Sequence, residues 1–169
     1  MDNCNLDRDK LNNELSKILV FFDDKKLVND KLEALLNNKI NNNFSLLKDN
    51  ALSGNKISTN KLLSDTVLEP EKNVFYLATI NQRLNKLAET DQLAKKTSLE
   101  DAINVIKPPI FWKDKPVFLM QAKKWNSNKI KGALNKTYNL EIEIKSNPVV
   151  DKSLLMKKLL VDICILANS

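Results

Sequence analysis

Few residues of this chain could do chemistry, and their spacing decides what each could do. Histidine is absent, which removes an imidazole base, a Ser-His pair and the commonest metal ligand together. Cys4 and Cys164 stand far apart in the sequence, and two cysteines alone do not complete a zinc site. The expectation is one reduced terminal cysteine and one buried cysteine. The carboxylate pairs are Asp23-Asp24 and Glu141 with Glu143. The first reads as a helix terminus. The second, two residues apart on a helix, points in different directions and does not converge on a reacting atom. Gly54 and Gly132 are the two glycines, too distant from each other to wrap a phosphate as a P-loop or a dinucleotide fingerprint does. No catalytic, metal or cofactor site is therefore expected, and no intrinsic catalysis.

The remaining chemistry is cationic and aromatic. Between Lys107 and Lys145 lie nine lysines against Asp114, Glu141 and Glu143, so the whole formal charge of +6 sits there and the rest of the chain is neutral. A charge excess confined to one segment suits a polyanion, and equally suits a solvated face. Within it, "PPIFWKDKPVFLMQAKKWN" (residues 108–126) crowds prolines, aromatics and lysines together. Trp112, Trp125 and Tyr138 could stack on unpaired bases while lysines neutralise phosphates. The alternative for Phe111, Trp112, Phe118 and Trp125 is core packing, since 118 and 125 are seven apart and share a helix face.

Elements that position these residues can be read from periodicity. Two glycines and five prolines leave little material for tight turns, which argues for an all-α chain of helices joined by short polar connections. A first helix is expected over residues 7–22, with Leu11, Leu15, Ile18, Leu19 and Phe22 on its apolar face. A second is expected over 29–36, after which the asparagines at 41–43 should break the pattern and mark a domain boundary. Further helices are expected over 44–53 with Gly54 as its C-terminal stop, over 58–69 ended by Pro70, and over 71–95 with Val74, Leu77, Ala78, Ile80, Leu84, Leu87 and Ala88 inward. Ser98 and Asp101 open a helix to Ile106, which Pro108 and Pro109 stop. Asp114 should cap the next, with Lys115 and Pro116 in its first turn and its end near Trp125. Asn126 or Ser127 caps another to Lys145, and Asp151 caps the last, to Ala167. Pro108, Pro109, Phe111, Trp112, Pro116 and Trp125 thus read as a structural elbow whose aromatics pack the corner. The last helix, "SLLMKKLLVDICILA", is apolar over most of its circumference, which points to a core position with part of its surface against another protein. No apolar run reaches the roughly eighteen residues of a membrane span, and a cytoplasmic protein without membrane association is expected.

In order along the chain, several motifs carry a family resemblance. They are Pro108-Pro109, Phe111, Lys113-Asp114-Lys115-Pro116, Lys123-Lys124-Trp125-Asn126-Ser127, and the run from Glu141 to Lys145-Ser146. To these are added "LNNELSKILVFF" with Glu14 and Lys17, "FSLLKDNALSGNK" and "VFYLATINQRLNKLAE". Collinearly they resemble the C-terminal part of the delta subunit of the bacterial DNA polymerase III clamp loader. Asp114 departs from the pattern, standing where that family prefers a basic residue. The resemblance implies an end of the helical lid domain over residues 1–40 and a helical collar domain over 41–169. It implies an assembly role in the pentameric collar that supports loading of the sliding clamp during DNA replication. The implied partners are the ATPase subunits and delta-prime, with primer-template DNA nearby. Matching starts at the end of the lid, so the clamp-binding ATPase-like domain is not covered and contact with the sliding clamp is not expected. On this reading Leu155, Leu159 and Ile163 are candidate subunit contacts, and Lys123, Lys124 and Lys145 are candidate DNA-backbone contacts. A stand-alone basic helical module that binds nucleic acid is the alternative.

Overall fold

The computed structural model describes residues 8–22, 38–147 and 149–169. Among these the chain is all-α: eight α-helices and a single 3-10 turn, with no strand. It divides into two compact units, Met1–Asn43 and Phe44–Ser169. Cys4, Asp23-Asp24, the expected helix over 29–36 and the side chains of Leu11 and Glu14 lie outside the described residues. No helix among those described is long and apolar enough to cross a membrane.

Helix α1, Arg8–Phe21, occupies the expected span. Of its expected apolar face, Phe22 is buried and Ile18 half-buried, whereas Leu15 and Leu19 are exposed. Helix α2, Asn38–Leu52, runs through the asparagines at 41–43, against the expectation that they would break the pattern. Asparagine costs a helix only a few tenths of a kcal/mol per residue, and Phe44, Leu47, Ala51 and Leu52 anchor the following turns in the core. At the end of α2, Gly54 adopts φ +67°. Its amide donates to Ala51 O and that of Asn55 to Asn50 O, both at 3.0 Å, the paired bonds of a Schellman stop. Asn55 then caps α3, Lys56–Asp65, its Oδ1 accepting from Ser58 N. α3 therefore starts earlier than expected. It also ends four residues before Glu69: Thr66 turns to extended backbone, and Pro70 opens a 3-10 turn, Pro70–Lys72.

The central element is α4, Asn73–Ala94, which packs against four later helices. Tyr76, Leu77, Ile80, Leu84 and Leu87 recur at helical spacing and are almost wholly buried. Each large apolar side chain so buried stabilises the fold by about 1.5–3 kcal/mol. Val74 and Ala78, expected inward, are exposed, because the buried arc is centred on Ile80 instead. Ser98 caps α5, Leu99–Val105, accepting from Asp101 N and donating to its carboxylate. α6, Lys115–Ala122, carries Pro116 in its first turn, but the Asp114 side chain makes no capping bond. Asn126 caps α7, Ser127–Ser146, and Asp151 caps α8, Lys152–Asn168, each accepting two backbone amides. α7 packs between α4 and α8, and α8 also reaches α3. Cys164 is a free, buried thiol on α8.

Gly54 offers a direct test of this architecture. A Cβ there would stand 2.7–2.9 Å from the Asn168 side chain, which itself donates from Nδ2 to Gly54 O at 2.7 Å. Gly54→Ala adds this clash to a left-handed backbone and is expected to cost about 1–2 kcal/mol or more, measured by urea unfolding. An unchanged midpoint would disprove the assignment.

Candidate interaction surface

The elbow differs from expectation in what it buries. Its corner is filled by Ile106 and Ile110, whereas Phe111 and Trp112 are 46% and 68% exposed. A turn closed by Asp114 N and Lys115 N on Phe111 O brings the chain into α6 and turns both rings outward. The rings meet at 5.8 Å between centroids, and Lys113 Nζ lies 5.5 Å from the Trp112 ring centre, within cation–π range. Pro108 and Pro109 are exposed beside them, as is Pro116. Trp125 belongs to a different environment. It is buried, and its indole N–H donates to Leu52 O at 2.8 Å. Phe118 is fully buried, as the seven-residue spacing from Trp125 predicts.

Lysines of the basic segment separate into two groups. Lys145 pairs with Glu141 at 2.5 Å and Lys136 with Asp162 at 2.9 Å. Lys124 reaches Asn168 Oδ1, Lys129 reaches Lys124 O, and Lys115 ties α6 to Asn104 of α5. Lys107, Lys113, Lys123 and Lys131 are exposed. Of the three candidate DNA contacts, Lys123 thus stands on the surface, Lys124 is half-buried, and Lys145 already has a carboxylate partner.

The expected subunit contacts on α8 require a correction. Leu159 and Ile163 are 5% and 1% exposed and belong to the chain's own core, with Leu155 packed against it. Leu159 and Ile163 lie in the fold's interior and present no surface to a partner, whereas Leu155 is half-buried at the edge of the core. The outward line of α8 is Leu154, Val161 and Ile165, and that of α7 includes Tyr138 and Ile142.

A second cationic group is invisible to charge counting along the sequence. Lys48 and Asp49 on α2, Arg83 and Lys86 on α4 and Gln121 on α6 converge beneath the elbow. Asp49 Oδ1 lies 3.3 Å from Arg83 Nη2 and 3.6 Å from Lys48 Nζ. Gln121 Nε2 donates to Asp49 O at 3.2 Å, and Lys86 Nζ to Pro108 O at 3.4 Å. The Arg83 guanidinium carbon is 5.4 Å from the Phe118 ring centre. Burial pushes the Lys48 ammonium below its ordinary value of 10.5; Asp49 opposes this and Arg83 adds to it. Burial lowers Lys86 likewise, again with Arg83 adding, while Glu89 and Asp114 oppose. One sequence signal for this group was available: Arg83 follows Ile80 by three and precedes Leu87 by four, close to the buried arc of α4.

The depressed value of Lys48 has a signed consequence. Between it and 10.5 the unfolded chain binds the additional proton, so stability rises as pH climbs through that interval. Lys48→Met is expected to flatten this rise in urea melts on the alkaline side; a slope equal to that of the parent chain would contradict the burial of the charge. Compared with family models, curated proteins and solved structures, the chain gives no match.

Proposed function

We propose that this chain is the assembly module of a clamp-loader delta subunit, the collar domain that packs into a pentameric ring with the ATPase subunits and delta-prime. On this reading it acts in the cytoplasm in DNA replication and performs no catalysis of its own. The family assignment rests on the collinear motifs from Leu11 to Ser146. The structural observation that carries the assembly role is the pair of apolar lines left outside a filled core. Leu154, Val161 and Ile165, spaced by seven and four, share one side of α8 and are 64%, 40% and 54% exposed. Tyr138 and Ile142, spaced by four, do the same on α7. Large apolar side chains aligned on exposed helix faces are what a subunit interface buries.

A second activity of the same module is favoured by the exposure of Trp112. An outward indole flanked by Phe111 and Lys113 has the chemistry to stack on an unpaired base while a cation meets the adjoining phosphate. Contact of this kind fits a module held close to primer-template DNA.

Each reading has its own test. Purified chain is expected to co-elute with ATPase and delta-prime subunits. Val161→Glu or Ile165→Glu should weaken that association by at least about 2 kcal/mol, roughly thirtyfold in Kd, with helicity by circular dichroism unchanged because both positions are on the surface. Retained co-elution by both variants would refute the assignment of this face. For the second reading, the buried Trp125 is shielded from a ligand and the exposed indole is Trp112. Oligothymidylate at low salt should then quench its fluorescence, and Trp112→Ala should weaken binding by about 1–3 kcal/mol. Absence of quenching would remove the nucleic-acid role.

A further inference from the structure

The group beneath the elbow holds more positive charge than its acids satisfy at close range. Asp49 Oδ1 alone faces Arg83, Lys48 and the Gln121 amide, at 3.3, 3.6 and 3.5 Å. All three contacts are long for charge-assisted bonds, which prefer about 2.7–2.9 Å. A guanidinium carries five N–H donors, and Arg83 directs Nη2 at Asp49. Its side chain is only 12% exposed and that of Lys48 11%, so each has limited contact with water. Lys86, one turn along α4 from Arg83, shares its face and reaches a neutral carbonyl. The other acids acting on these cations are Asp114 at the elbow and Glu89 on α4. Both are exposed, and solvent and salt screen them.

We infer that Lys48, Arg83 and Lys86 form a recess for a phosphate oxyanion, with the elbow at Pro108 and Asp114 as its rim. A tetrahedral oxyanion offers several acceptor atoms to donors arriving from two helices, which one carboxylate oxygen cannot do. Arg83 supplies a planar fork for two of those oxygens and the two lysines supply point charges. An anion at this place also favours the charged form of Lys48, which burial disfavours. Trp112 and Lys113 precede Asp114 directly in the chain, so the phosphate group is either a free one or the phosphodiester of a strand passing the elbow. The inference needs neither the clamp-loader reading nor the stacking of bases on Trp112.

The experiment has two arms, each using the full chain. In the first, thermal unfolding is followed in inorganic phosphate and in chloride at equal ionic strength. Phosphate is expected to raise Tm by about 3–5 °C once it exceeds its Kd tenfold. Arg83→Gln and Lys86→Gln should each lose that increment, and Lys61→Gln, on the surface of α3, should keep it. An increment of equal size in the parent chain and both recess variants would overturn the proposal, since it would then report general exclusion of phosphate from protein surface. Circular dichroism in chloride establishes that the variants fold; should Arg83→Gln fail to do so, Lys86→Gln alone decides. In the second arm, single-stranded oligothymidylate is titrated at several salt concentrations. A log–log salt slope reduced by about one in Lys86→Gln assigns the recess to a strand phosphate. An unchanged slope together with loss of the phosphate increment assigns it to a free phosphate group.

Discussion

The last turn of α2 is the constraint on which the remainder of the structure depends. A helix leaves its final carbonyls without intrahelical partners, and here those carbonyls lie in the interior, beside the fully buried Ala51 and Leu52. Local chain satisfies part of the need through Ser53, Gly54 and Asn55. Distant elements supply the rest. Trp125 donates to Leu52 O and Asn168 to Gly54 O, while Gln121 adds a second bond to Asp49 O, which Ser53 N already meets. An unmet buried carbonyl costs about 1–3 kcal/mol, so these bonds dictate where the ends of α6 and α8 must come. Asn168 holds its own position by a further bond to Cys164 O.

From that arrangement the outward elbow follows. α6 is fastened at its C-terminal end through Gln121 and Trp125, and at its N-terminal end through Lys115 to Asn104. The connection from α5 has only residues 106–114 in which to reverse direction. Ile106 and Ile110 take the two inward positions of that connection, and Phe111 and Trp112 are left on the surface. The same packing brings α2 and α4 close enough to set Lys48, Arg83 and Asp49 together. Exposed aromatics and partly desolvated cations at one corner thus have a common structural origin.

Much of the helical layout was legible from residue type. Ser98, Asn126 and Asp151 accept backbone amides where their short side chains precede apolar runs, and Gly54 ends α2. Legibility failed where local preference and tertiary burial disagree. The asparagines at 41–43 favour turns, yet the anchoring of Phe44 and Leu47 outweighs that preference. Asp114 has the composition of a cap but a helical backbone without the bond. Phe111 and Trp112 have the composition of core residues and stand on the surface, whereas Leu159 and Ile163, expected at an interface, are buried in the chain's own core.

Sequence by itself determined the helical class, most helix starts and stops, and the placement of the basic excess between residues 107 and 145. Each of these depends on interactions within a few residues along the chain, where spacing and side-chain type decide the outcome. Only the tertiary structure decided which aromatics face solvent, which side of α8 faces solvent, and that Lys48 and Arg83 share Asp49. Those outcomes depend on contacts between residues more than thirty positions apart, Asp49 with Arg83 and Trp125 with Leu52 among them. No periodicity along one helix encodes them, because they arise when buried carbonyls and apolar faces on several helices must be satisfied at once.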